Sequence, residues 1–215
     1  MNLLGFALAV LLIELTPGPN MAWLAGLAAT EGRRAGLAAV AGVALGLLGN
    51  GVLAALGLAT LLQAAPQYFT LLRLAGAAMM VWLAVDAWRG AARPVTAAPA
   101  TLRRAFATGA LINLLNPKAY IFFVVVAPQF LGGRSLDLPG ALLLAGISTG
   151  IATAIHLAIV LAGAQAQALL QDGARMKLVR RGFAVVMLGV ALSFLLTDSG
   201  LSGSPSPSPH PIRHR

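Results

Sequence analysis

Glu14-Leu15-Thr16-Pro17-Gly18-Pro19-Asn20 interrupts an apolar run that extends from Leu3 to Ala29. Two prolines around a glycine remove backbone donors and push the residues before them out of the helical region. A helix entering a membrane at Leu3 reaches Glu14 after eleven residues, roughly 17 Å at 1.5 Å per residue. That is about half of a ~30 Å hydrocarbon core, so the break falls near mid-depth. Further along, Ala105 is again eleven residues from Asn116, and the second interruption reads Asn113-Leu114-Leu115-Asn116-Pro117-Lys118. If the two runs enter from opposite sides, their breaks share one plane. Irregular backbone at that depth is tolerated only where protein buries it or a wet cavity reaches it. The alternatives are two dry kinks or one hydrated pocket. An Asn and an ionisable neighbour at each break favour the pocket.

Composition puts the breaks in a membrane. The chain has 215 residues, 59% of them hydrophobic and only 10% charged, with a mean hydropathy of +0.85. A soluble domain carries about 25% charged residues to face water. The 24 glycines and 12 prolines have no collagen-like period and lie mostly inside apolar stretches, where membrane helices accept them. A net charge of +9 points to loops beside an anionic membrane face, with no nucleic-acid partner. The absence of cysteine excludes disulfides, thiol relays and thiolate metal sites. The first apolar run has no basic residue before it and outlasts a signal core, so an uncleaved span is expected.

Six apolar stretches follow: about Leu3 to Ala29, Gly36 to Leu62, Thr70 to Trp88, Ala105 to Leu131, Pro139 to Leu170 and Gly182 to Leu196. The sixth reaches crossing length only with its Arg180 and Arg181 flank. No ten-residue alternating segments suggest a barrel, so the expected fold class is an all-α membrane protein with six transmembrane helices. Three spans per half turn the second half upside down relative to the first, the inverted-topology repeat of many transporters. The expected organisation is a first three-helix repeat over residues 1–90, a linker loop at 91–104, a second repeat over 105–196 and a disordered tail at 197–215. Loops one, three and five hold Arg33, Arg34, Arg89, Arg93, Arg103, Arg104, Arg175, Lys177, Arg180 and Arg181, ten of the fifteen basic residues. Under the positive-inside rule these odd loops are cytoplasmic and both termini lie outside.

The polar residues inside the spans are the candidate site. An acid at the position of Glu14 costs about 2.5 to 3.5 kcal/mol to insert, so it faces the bundle interior with a partner. It is read as a substrate-ammonium or proton site, or as an ion pair with Lys118. Lys118 either counters a substrate carboxylate or caps carbonyls freed by the break. Asp86 and His156 are further proton-coupling candidates. Asp86, near the end of span three beside Arg89, also suits an interfacial ion pair. His156 falls in span five on a stripe with Gly146, Thr149, Gly150 and Thr153, where a packing role competes with proton relay. Gly42, Gly46, Gly49, Asn50 and Gly57 fall on one side of span two, a face for close helix approach within a bundle or a dimer.

These motifs resemble the LysE/RhtB family of bacterial amino-acid exporters. The resemblance rests on Thr16-Pro-Gly-Pro-Asn20, on Gly32-Arg-Arg-Ala-Gly36 leading to Gly42-Val-Ala-Leu-Gly46, and on Thr108-Gly-Ala-Leu-Ile-Asn-Leu-Leu-Asn-Pro-Lys-Ala119 continuing to Pro128-Gln-Phe130. It implies an exporter of the bacterial inner membrane that carries amino acids outward against protons, often as a homodimer, and without a cofactor. The family positions it carries over are Pro17, Gly18, Pro19, Asn20, Asn116, Pro117 and Lys118. With Glu14, Thr16 and Asn113 they make the expected substrate site. A carrier of another solute, such as a metal ion, and a non-transporting scaffold are the competing readings. Neither a nucleophile-base pair nor a metal triad suggests an enzyme.

Overall fold

The structure, a computed structural model, describes residues 1–16, 18–56, 65–90, 101–132, 137–169 and 173–196. Pro17, Gly57, Arg93, Arg134, residues 91–100 of the expected linker and the whole tail from 197 lie outside the described residues. All regular structure among them is helical. In chain order the helices are α1 (Leu3–Leu15), α2 (Pro19–Glu31), α3 (Arg33–Ala55), α4 (Pro66–Gly90), α5 (Leu102–Leu114), α6 (Pro117–Ile121), α7 (Leu138–Leu169) and α8 (Gly173–Leu196). A π-helical turn, Phe122–Val126, and a 3₁₀ turn, Ala127–Phe130, follow α6.

Four helices, α3, α4, α7 and α8, are long and apolar enough to cross a bilayer, and α1 with α2 makes a fifth span bent by 55°. Many large apolar side chains face outward, among them Leu4, Leu12, Leu56, Leu71, Leu178 and Leu196. Such a surface is foreign to a soluble monomer, and the chain is a multi-pass membrane protein. The sixth stretch, which from Gly182 looks short, begins its helix at Gly173 and gains its length there. The fourth does not form the single span expected over Ala105 to Leu131. It divides at the expected break, Asn113 to Lys118, into α5 and α6, and then runs on into the two irregular turns, because Pro117 and Pro128 each lack the amide that would continue the ladder.

Side chains at each break settle the local geometry. Gly32 ends α2 and starts α3 with φ 87°, a conformation that glycine adopts without strain. Asn2 caps α1 by accepting from the Gly5 amide, and its own amide donates to the Phe130 carbonyl at 3.0 Å. The Phe6 ring packs against Phe122 and Phe130, with centroids 5.3 and 5.9 Å apart, which holds α1 to the irregular end of the fourth stretch.

Two apolar cores lie in sequence along the bundle. One joins Trp23, Leu24 and Ala28 of α2 to Ala35, Ala39 and Val43 of α3, Ile112 of α5, Val160 of α7 and Met187 of α8. The other joins Phe6 and Val10 of α1 to Leu47 and Ala54 of α3, Ala119 and Phe123 after the second break, and Leu144 and Ala152 of α7. In three segments the chain passes from one core to the other through polar residues: Glu14 to Asn20, Asn113 to Asn116, and His156. The first break is crossed in one direction and the second in the other. α3 packs on α5 and α7, α2 on α7, and α4 on α8.

The glycine face of α3 belongs to the inside of the molecule. A Cβ on Gly42 would run into the main chain of Phe106 and Ala110, and one on Gly46 would lie 2.7 Å from the Ala110 carbonyl. Gly109 of α5 presses in return on the main chain at Ala39 and Val43. By contrast, Gly146 and Gly150 of α7 and Gly182 and Gly189 of α8 have nothing within 4 Å of where a Cβ would sit. The charged ends of α2, α4 and α8 meet beyond the first core. Arg180 donates to the Gly90 carbonyl at 2.6 Å and reaches Glu31 at 3.4 Å, and Arg181 lies over the Trp88 ring.

Candidate functional site

The first break leaves two helix ends of opposite polarity side by side. Glu14 is on the last turn of α1, whose final carbonyls carry the negative end of the helix dipole. Thr16 leaves the helix extended, with its hydroxyl bonded back to the Leu12 carbonyl at 3.1 Å. Gly18 precedes α2 and offers no side-chain cap, and Pro19 occupies the first helical position. Pro19 has no amide hydrogen, and the ladder of α2 begins with the Ala22 amide on the Gly18 carbonyl. The amides of Asn20 and Met21 therefore stand at a positive helix end with no intrahelical acceptor.

The second break is finished differently. Asn116 caps α6 with its own side chain, accepting from the Lys118 amide at 3.0 Å. Its main-chain amide donates to the Asn113 carbonyl at 3.1 Å. Pro117 is buried at the start of α6, which points Lys118 back across the bundle. The Lys118 ammonium donates to the Ile13 carbonyl at 2.6 Å and to the Thr16 carbonyl at 3.2 Å. Of the two roles open to this lysine, capping the freed carbonyls is the one seen here.

Asparagines tie the two breaks together. Asn20 Nδ2 donates to Asn113 Oδ1 at 2.7 Å, and Asn50 Nδ2 on α3 donates to the Asn113 main-chain carbonyl at 3.0 Å. Glu14 lies 3.9 Å from Nε2 of His156, a side chain only 2% exposed. A cavity between these groups is lined by Glu14, Gly18, Asn20, Asn113, Lys118 and His156, with apolar walls from Ile13, Leu47 and Phe122. Its volume is about 30 Å³ as seen by water-sized molecules, room for about two waters. Asn20 Oδ1, Asn113 Nδ2, Ser148 Oγ and His156 Nε2 all line it and have no hydrogen-bond partner among the described residues. Buried polar atoms without partners are costly, and here four of them converge on one cavity, where a water or polar solute could bond them.

Of the residues expected at the site, Glu14, Gly18, Pro19, Asn20, Asn113, Asn116, Lys118 and His156 line this cavity. Thr16 and Pro117 do not line it: the Thr16 carbonyl accepts from Lys118 and Pro117 is buried at the start of α6, and Pro17 lies outside the described residues. Asp86 is elsewhere. It pairs with Arg104 at 2.9 Å, with both side chains about 40% exposed, so the interfacial ion pair exists and its partner is Arg104 instead of Arg89. The stripe expected around His156 also turns. The inward face of α7 runs through Ser148, Ala152 and His156, all buried, while Gly146 and Gly150 are exposed. Ser148 went unnoticed in the sequence because a lone serine in an apolar helix carries no pattern. Asn50 was visible only as one member of the glycine face.

Comparison with known proteins agrees with these motifs. The family model described as LysE type translocator matches residues 11–198. An uncharacterized membrane protein of Vibrio cholerae is 34% identical over 74% of this chain and 77% of its own length. The homoserine/homoserine lactone efflux protein of Salmonella typhimurium is 33% identical over 67% of this chain and 71% of its own. The leucine efflux protein of Klebsiella pneumoniae is 32% identical over 61% and 64%. No solved structure gives a significant match. Since the family match takes in both breaks and every polar residue of the cavity, the chain belongs to the LysE type translocators, which are transporters and not enzymes.

Proposed function

We propose that the protein exports amino acids or similar small zwitterions across the bacterial inner membrane, driven by protons, through alternating access of two inverted three-helix halves. The observation that carries this reading is the meeting of both helix breaks at one polar cavity with charge of each sign. The uncapped start of α2 presents the Asn20 and Met21 amides to a carboxylate. The α1 carbonyls and Glu14 suit an ammonium. Relatives named as homoserine/homoserine lactone and leucine efflux proteins support the substrate class.

The packing supports the inverted halves, residues 1–90 and 105–196. Exchange of the first span with the fourth, the second with the fifth and the third with the sixth turns the contact of α3 on α5 into that of α7 on α1, and the contact of α7 on α2 into that of α3 on α6. The contacts α3 on α7 and α4 on α8 map onto themselves. The opposed directions in which the breaks cross the two cores fit the same symmetry. The ends of α2, α4 and α8 that gather Glu31, Gly90 and Arg180 belong to the basic odd loops. On this reading they are the cytoplasmic face, and both termini lie outside. A cavity for about two waters has to widen before it holds a zwitterion, the motion that alternating access supplies. Glu14 and His156 are the proton-coupling pair. In a homodimer, the open glycine faces of α7 and α8 are the surfaces on which a second copy packs.

The test is a panel of amino-acid concentrations in cells and medium with and without overexpression. Export of at least one neutral amino acid is expected to rise severalfold. An unchanged panel overturns the proposal.

A further inference from the structure

The cation held at the end of α1 belongs to the protein itself. Lys118 Nζ sits 2.6 Å from the Ile13 carbonyl and 3.2 Å from the Thr16 carbonyl, the position in which the exporter reading places a substrate's ammonium. The carbonyls come from the first half and their occupant from the second, with 105 and 102 residues between the partners. The group that fills the place is a primary ammonium, the same functional group that every α-amino acid carries. Resting on the exporter reading, we propose that Lys118 is a tethered surrogate for the substrate's ammonium, which fills the carbonyl cage while the carrier is empty and is displaced when cargo binds.

Three features carry the inference. The carbonyls end a helix inside the membrane, where lipid offers a bare acceptor no donor and a cation is favoured by the helix dipole. The ammonium rides on a flexible four-carbon stem, so it can withdraw without moving the backbone of α6. Asn116, which caps α6, keeps that backbone in place. The direction of withdrawal is open as well. Gly18 has no side chain, and a Cβ built there would lie 3.7 Å from Nζ. The lysine can therefore swing past Gly18 toward the start of α2, where the incoming carboxylate is expected. Cargo and lysine exchange partners: the substrate's ammonium takes the carbonyls, and Lys118 takes the substrate's carboxylate. In the empty carrier Lys118 returns to the cage, so no carbonyl is bare during the return stroke. Such a carrier performs net efflux and not only exchange.

The experiment uses the full-length protein in proteoliposomes loaded with radiolabelled L-leucine or L-homoserine. Release into plain buffer measures net efflux, and release into buffer with the same unlabelled amino acid measures exchange. Lys118→Met is expected to lower both, and net efflux by about tenfold more than exchange, because only net efflux needs the empty return with the Ile13 and Thr16 carbonyls unpartnered inside the membrane. An equal loss of both overturns the surrogate role and leaves Lys118 as an ordinary binding or structural residue. Wild-type liposomes loaded in turn with each amino acid of the overexpression panel that release none of them in either mode overturn the exporter reading, and this inference falls with it. A second measurement does not depend on the variant inserting. In wild-type protein labelled with ¹⁵N at the lysine Nζ, Lys118 and Lys177 are the only lysines. Saturation with the amino acid is expected to shift the Lys118 resonance and leave that of Lys177 in place. A stationary Lys118 resonance overturns the displacement.

Discussion

Asn20 and Asn113, 93 residues apart, share a 2.7 Å hydrogen bond between their side-chain amides at the point where the two broken helices meet. Asn20 is 8% exposed and Asn113 2%, so both amides are shut off from bulk water. The bond joins the start of α2 to the last turn of α5 and so fixes how the two interruptions face each other.

Asn113→Ala leaves the Asn20 amide buried and unpaired, with an expected cost of about 1 to 3 kcal/mol. Thermal unfolding in detergent measures this. The double variant Asn20→Ala/Asn113→Ala is expected to cost less than the sum of the single changes, as for any directly coupled pair. Strict additivity would mean that the bond contributes nothing to stability.

Glu14→Gln keeps the shape of the side chain and removes its charge and titration. Export against a gradient is expected to be lost, or to become indifferent to external pH, while the protein inserts at wild-type levels. Asp86→Asn is expected to leave the pH profile as it is and to cost at most about 1 kcal/mol, the range of an exposed ion pair. Efflux of a labelled amino acid from vesicles at several pH values compares the two. A wild-type profile for Glu14→Gln would remove this residue from the coupling.

The breaks were legible in the sequence because proline and glycine act on their own backbone. Rise per residue then set Glu14 and Asn116 at one depth without knowledge of the packing. The partners of Lys118 were not legible, since two carbonyls at the end of a distant helix have no side-chain signature. Ser148 and Asn50 escaped for a related reason: each is a single polar residue whose role depends on which face of its helix turns inward. The stripe around His156 shows how narrow that margin is. Residues 148, 152 and 156 step by four and drift only slowly around the helix, whereas Gly146 and Gly150 fall on its outer flank.

Gly42→Ala forces a methyl group into the main chain of Phe106 and Ala110, and overpacking of this kind typically costs about 1 to 3 kcal/mol. Gly146→Ala and Gly182→Ala meet open space within one copy, so in monomeric protein they are expected to be neutral or slightly stabilising. Yield and melting temperature of the purified variants give the comparison. Equal behaviour of all three would contradict the close seam between α3 and α5.

Arg180→Ala removes the contacts to the Gly90 carbonyl and Glu31 that bind the ends of α4 and α2 to α8. Because the native chain has no cysteine, a single Ala35→Cys substitution reports on this end of the bundle, where Ala35 is buried. Its reaction with a maleimide added to inside-out vesicles is expected to quicken severalfold when Arg180 is lost. An unchanged rate would show that the apolar core alone keeps this end shut.

The unequal finish of the two breaks has a consequence for the cargo. The start of α6 spends its first free donor on Asn116, while the start of α2 has no such internal stopper. On the exporter reading, an anion thus finds one uncapped helix start and not two, which favours a single orientation of a dipolar passenger. Halves related by inversion would, on the same reading, thereby handle the passenger head first at one face and tail first at the other.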